Sequence, residues 1–224
     1  MLSLILAALF FIAIHLGIAG TALRDRAIGT LGTRGYMAAF SIASVVGIVW
    51  LVVAYRDAPY VALWGMLGWW RPFAVVLMLP AVLLFTVGLA TPNPTSVAQE
   101  RRLAEPARGV VRVTRHPFLM GVTLWAVVHL VGNGDAASFV FFATWIVIAG
   151  AGTVSIDAKR RRLQGATLWD PFAAQTSILP FAAIWEGRNH FRPGEIGLWR
   201  WLAGLAVYAV ILATHARIIG VSPI

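Results

Sequence analysis

Six apolar runs, at residues 1–23, 36–55, 71–90, 116–132, 136–156 and 198–218, constrain this chain more than anything else in it. Each is close to the roughly 20 residues that a helix requires to cross a bilayer. Backbone groups in hydrocarbon must be satisfied internally, so runs of this kind imply helices and a polytopic, all-α transmembrane bundle. Composition agrees. The 224 residues are 59% hydrophobic and only 12% charged, about half the charged share of a soluble domain. There is no cysteine, which excludes disulfides, thiolate metal sites, iron–sulfur clusters and cysteine nucleophiles. The net charge of +9 comes as arginine clusters between apolar runs. That pattern marks cytoplasmic loops rather than nucleic-acid binding.

The first charges, Arg24, Asp25 and Arg26, follow the first run instead of preceding it. A cleaved signal peptide has the opposite order, so 1–23 reads as a retained span. A chain that starts directly at its first span points to a bacterial inner membrane rather than a plastid. Residues 56–70, with Trp64, Trp69 and Trp70, read as an interfacial segment. Pro80 is expected to kink the third span. Residues 91–96, TPNPTS, break the chain before a basic loop. Residues 157–197 read as a cytoplasmic and interfacial segment, with 157–168 continuing span five and 170–185 lying along the membrane surface. Alternate connections divide the basic residues unequally: only Arg56, Arg71 and Arg217 fall in one set. The positive-inside rule then gives an N-out, C-out topology.

Of five histidines, His190 reads as solvated in a loop and His215 as an interfacial side chain near the exit of the last span. His15 and His129 differ, because both interrupt apolar runs at membrane depth. Ionisable groups there face the bundle interior and mark function; the bland alternative is a neutral imidazole bonded to a nearby carbonyl. His116 opens span four, just before Pro117, which suits a first helical position. His116 and His129 are separated by roughly 20 Å of rise and about 220° of rotation, so they cannot hold one metal together. His15 and His129, on separate helices, could grip a haem iron across the bundle. Zinc would want further ligands that the apolar runs do not offer. The topology leaves the pair about 5–10 Å apart in depth, and His15 with His116 is the competing pair.

Three blocks, FFIAIHLGIAG, VRVTRHPFLMGVTLWAVVHLVGNGD and QTSILPFAAIWEGR, together resemble the NnrU family, which is related to 15-cis-zeta-carotene isomerase. The resemblance runs over nearly the whole chain. It implies a polytopic membrane protein and, in the isomerase branch, a haem b whose histidine ligands fall on His15 and His129, with His116 matching a third histidine. In that branch ferrous haem promotes rotation about the central bond of a poly-cis carotenoid, so a hydrophobic polyene would be the substrate. The NnrU branch is instead associated with nitrite and nitric oxide metabolism in denitrification.

Two other readings stay open. A bis-histidine haem protein could be a non-enzymatic electron carrier or gas sensor with a redox partner. Alternatively, RHP at the mouth of a span also resembles isoprenylcysteine-type methyltransferases that bind S-adenosylmethionine. The paired glutamates of that family are missing, Asp157 being followed by Ala158 and Lys159. That reading also gives Arg115, His116 and Asp157 a structural role, a cytoplasmic-face polar cluster tying spans four and five; for Arg112 and Arg115 the favoured alternative is plain positive-inside anchoring of span four.

Overall fold

The computed structural model describes residues 1–96 and 99–223; residues 97, 98 and 224, two of them in the basic connection after 91–96, lie outside the described residues. The protein is all-helical. Helix α1 (Leu2–Ile12) continues as a π-helical turn over Ala13–Ile18, and α2 covers Ala22–Arg56. Then come α3 (Arg71–Ala90), a short α4 (Val110–Val113), α5 (Pro117–Asn133) and α6 (Ala136–Gln164). Helices α7 (Ala166–Gln175), α8 (Ala182–Trp185) and α9 (Leu198–Ile219) complete the chain. Four of these, α2, α3 with the turn before it, α6 and α9, are long and apolar enough to cross a membrane. The two shorter apolar helices are Leu2–Ile18 and Pro117–Asn133.

The first boundary departs from the expected 1–23. Thr21 breaks the run and caps the next helix, its Oγ1 accepting from the Leu23 N–H at 3.2 Å, a standard way to satisfy an orphan amide. Asp25 in the first turn complements the helix dipole. The charged residues 22–31 therefore join α2 instead of forming a loop. Gly32, at φ 69° and ψ 164°, breaks that helix; a left-handed φ favours glycine because no Cβ clashes there. The apolar part beyond it makes the second membrane helix.

The tightest helix packing is between α3 and α5, and small residues make it possible. A Cβ on Gly121 would lie 2.7 Å from both the Ala81 carbonyl oxygen and the Phe85 amide nitrogen. A Cβ on Gly88 would lie 2.8 Å from the Phe118 nitrogen. Close backbone approach through small residues is how helices associate where lipid removes a hydrophobic drive. Helix α5 also packs on α6, and α9 on α3. Leu4, Phe11, Leu51, Ala126 and Phe142 close a common core between α1, α2, α5 and α6. Directional bonds add register: Tyr55 and Ser138 hydroxyls lie 2.8 Å apart, and the Tyr208 hydroxyl donates to the Val75 carbonyl at 2.7 Å.

The arginine-rich connections gather at one end of the bundle, where Arg162 reaches Asp25 and Arg200 donates to the Ala90 carbonyl. At the opposite end, residues 56–70 do more than rest at an interface. The amides of Leu63, Trp64 and Gly65 all approach the Gly134 carbonyl at 2.9–3.0 Å. Trp64 Nε1 donates to the Val131 carbonyl at 2.9 Å and Trp70 Nε1 to Val128 at 3.0 Å. The segment thus caps the end of α5, taking up the otherwise orphan carbonyls of Val131 and Gly132.

Candidate functional site

His129 projects from the C-terminal half of α5 into a cage of rings. Its ring centroid is 5.4 Å from Trp125, 5.3 Å from Phe142 and 6.3 Å from His215 on α9. Its Nδ1 lies 2.8 Å from the Trp125 carbonyl oxygen. A carbonyl can only accept, so Nδ1 carries the proton and Nε2 keeps a bare lone pair. His15 repeats the device within the π-helical turn, Nδ1 lying 2.9 Å from the Phe11 carbonyl. Single π-helical turns inside α-helices are common at functional sites. Fixing the tautomer through Nδ1 is also the usual way a protein prepares an imidazole to ligate metal.

The structure does not bring His15 and His129 face to face. They occupy the two ends of a run of rings: His15 to Phe11 at 4.3 Å, Phe11 to Trp145 at 5.3 Å, Trp145 to Trp125 at 6.1 Å, then Trp125 to His129. The residue nearest His129 with matching chemistry is His215, whose place near the exit of the last span marks it in sequence only as interfacial. A signal for it existed. Helices α5 and α9 both start at the arginine-rich end, so their last turns face the same side of the membrane. Within the run, Trp145 Nε1 is buried and has no hydrogen-bond partner.

His116 sits elsewhere and is already engaged. It is 2% exposed and its Nε2 donates to Asp157 Oδ1 at 2.7 Å, so that nitrogen offers no free lone pair to a metal. Arg115 donates to the other oxygen of Asp157 from Nη2 at 2.6 Å and Nε at 2.8 Å. Its Nη1 donates to the Thr176 carbonyl at 3.1 Å. The Arg115 carbonyl in turn accepts from Asn93 Nδ2 and Thr95 Oγ1. Arg160 is buried beside this cluster, paired with Glu100 and bonded to the Ser96 carbonyl. The TPNPTS break therefore acts as a polar collar around the start of α5, which composition alone did not reveal. Further out, Arg112 forks onto Glu195 with Nε at 2.8 Å and Nη2 at 3.2 Å. That fork, with the Gly109 amide, holds the Glu195 carboxyl below its usual value.

Among the described residues, no group of three or more His, Asp or Glu side chains could hold a metal ion. Two neutral imidazoles with free Nε2 atoms suit a metal that brings most of its own ligands, as a porphyrin iron does. The donor chemistry around His129 fits such a group.

The NnrU protein family matches the chain over residues 3–223. The chain is also 27% identical over 195 residues to the chloroplastic 15-cis-zeta-carotene isomerase of Arabidopsis thaliana, covering 84% of this chain and 51% of that protein. The corresponding protein of Zea mays is 26% identical over 197 residues, covering 83% and 51%. The chain thus spans about half the length of the curated relatives it matches. No solved structure matches it. With residues 3–223 covered by the family and an all-helical apolar architecture, this chain belongs to the NnrU family.

Proposed function

We propose that this protein is a haem b-binding membrane protein that isomerises a poly-cis carotenoid of the 15-cis-zeta-carotene type. The observation that carries the reading is His129: a neutral imidazole with a free Nε2, set among aromatic rings, in a chain similar to two such isomerases over more than four-fifths of its length. His129 would hold the iron, and His15, with the same locked tautomer, is the partner drawn from the sequence. When bound, a reduced haem would supply an electron-rich metal at which a central double bond can rotate without net oxidation. Trp125, Trp145 and Phe142 supply flat apolar walls of the kind a polyene stacks against. They also exclude water from the reacting centre. The arginine-rich end would face the cytoplasm of a bacterial inner membrane, following the positive-inside bias.

The test is pigment analysis in a bacterial host that accumulates 15-cis-zeta-carotene, beside a pyridine haemochrome of the purified protein. Conversion of the 15-cis isomer with near one haem per chain is the expected result. A haem-loaded protein that leaves the isomer ratio at the control value removes the isomerase and keeps the haem. A protein still colourless after haem supplementation removes both, and binding of S-adenosylmethionine becomes the next assay.

One observation favours a non-enzymatic electron carrier as the second reading. The ring run continues past His15 through Phe40 at 5.2 Å to Tyr36, a further 5.9 Å. It therefore joins the arginine-rich end to His129. Fast haem reduction by a quinol, with no change in carotenoid isomers, would select this reading, including a role linked to nitric oxide.

A further inference from the structure

We propose that the arginine-rich end of the bundle binds one anionic phospholipid, its phosphate received by Lys159, Arg24 and Tyr36 where the turn between α1 and α2 packs on α6. The proposal does not depend on a haem. Gly20, in that turn, approaches α6 so closely that a Cβ on it would run into Ser155 Oγ. Further along α6, Arg162 Nη2 donates to Asp25 at 3.1 Å. Ser155, Lys159 and Arg162 are spaced four and three apart, so they share one face of α6. Contacts on either side of Lys159 thus hold that face against the start of α2.

Two polar groups there have no partner among the described residues. Tyr36 is 8% exposed, and its hydroxyl is buried without a hydrogen bond, a costly state for a polar atom. The Arg24 guanidinium carbon stands 5.7 Å from the centre of the Tyr36 ring. Lys159 is half-buried and within electrostatic range of Arg24, Arg160 and Arg162. Among the described residues it has neither a hydrogen bond nor an ion pair. The nearby carboxylates are committed elsewhere, Asp25 to Arg24 and Arg162, Glu100 to Arg160. Four cations against two carboxylates leave a surplus of two positive charges.

A phosphate supplies what this cluster lacks: negative charge and several acceptor oxygens for an ammonium, a guanidinium and a phenolic hydroxyl. Arg24 can turn to it, because its contact with the adjacent Asp25, at 3.2 Å and partly exposed, is weak. The surroundings favour a lipid over a soluble anion. Leu23, Leu31 and Leu163 are each about half exposed and offer apolar surface to acyl chains beside the cations. Basic pockets between helices on the cytoplasmic side are sites of anionic head groups.

The test uses the full chain in detergent, stripped of lipid, and measures bound phosphatidylglycerol by native mass spectrometry. Phosphatidylcholine and inorganic phosphate are the other probes. Wild type should retain one phosphatidylglycerol per chain, bind phosphatidylcholine more weakly and resist displacement by phosphate. Lys159→Met should weaken phosphatidylglycerol about tenfold, the worth of one charge-assisted hydrogen bond, and Lys159→Arg should restore it. Tyr36→Phe, which keeps the stacking on Phe40, should weaken it several-fold. Arg101→Ala, which removes an exposed cation at the same end, should leave it unchanged. Wild-type affinity in Lys159→Met and Tyr36→Phe overturns the site, as does equal binding of phosphatidylcholine. An equal loss in Arg101→Ala reduces it to general attraction of anionic lipid to the arginine-rich end, and displacement by phosphate assigns the cluster to a soluble anion. Either result overturns the proposal.

Discussion

Arg115 closes on Asp157 through a single carboxylate oxygen, Nη2 at 2.6 Å and Nε at 2.8 Å from Oδ2, while His116 takes the other oxygen. The contact ties the residue just ahead of the α5 N-cap to the C-terminal third of α6, 42 positions away in sequence. The Arg115 and Asp157 side chains are only 13% and 15% exposed. Removing one partner would leave the other nearly buried and uncompensated. Asp157→Asn should therefore cost about 3 kcal/mol, the lower end for a broken buried pair. Thermal unfolding in detergent reads this. An unchanged midpoint would mean that the contact does not hold the two helices together.

Gly121 is where α5 comes closest to α3. Its added Cβ would meet backbone atoms of Ala81 and Phe85, which cannot rotate away. Gly121→Ala should destabilise the bundle by about 1–3 kcal/mol through overpacking. Gly150, with nothing within 4 Å of such a Cβ, is the matched control in α6. A similar melting point for the two alanine variants would contradict the close approach.

The Arg112–Glu195 fork gives stability a defined pH dependence. The Glu195 carboxyl is held below its ordinary value, first by the hydrogen bond from Arg112. A depressed carboxyl pKa adds stability that is fully present above the unfolded value, about pH 4.3. It is lost as pH falls through the folded one. Glu195→Gln should lower the melting point by about 1 kcal/mol equivalent at pH 7. It should also flatten the acid side of the stability profile. Parallel wild-type and variant profiles below pH 4 would show that Glu195 contributes nothing there.

Haem retention should separate His129 from His190. His129 lies among Trp125, Phe142 and His215, whereas His190 is exposed in the loop before α9. His129→Ala is expected to lose most of the haem absorbance, and His190→Ala to keep the wild-type value. Equal haem content in both variants would demote His129 to a packing residue.

How far the sequence reaches is clearest at these histidines. Hydropathy alone identified the apolar helices, because the partition of a side chain into lipid depends on that side chain and its own helix. The same property sorted the arginines toward one end and singled out His15 and His129 as costly groups in apolar surroundings. Charges flanking consecutive spans share one face of the membrane, so Arg115, His116 and Asp157 could be grouped from the sequence, although plain positive-inside anchoring accounts for Arg115 equally well at that level.

Partners across helices were decided only by the tertiary structure. Which helix stands beside which, and at what rotation, depends on backbone approach at Gly88, Gly121 and Gly204, and no periodicity within one helix encodes that. So His215 met His129, and Phe11, Trp145 and Trp125 came between His129 and His15. The same holds for local polar geometry. Thr21 turned an expected loop into helix, and Gly134 offered a carbonyl that drew residues 63–65 onto the end of α5. A residue's cost in lipid is a one-body property, legible along the chain; its partner is a two-body property that exists only once the helices have packed.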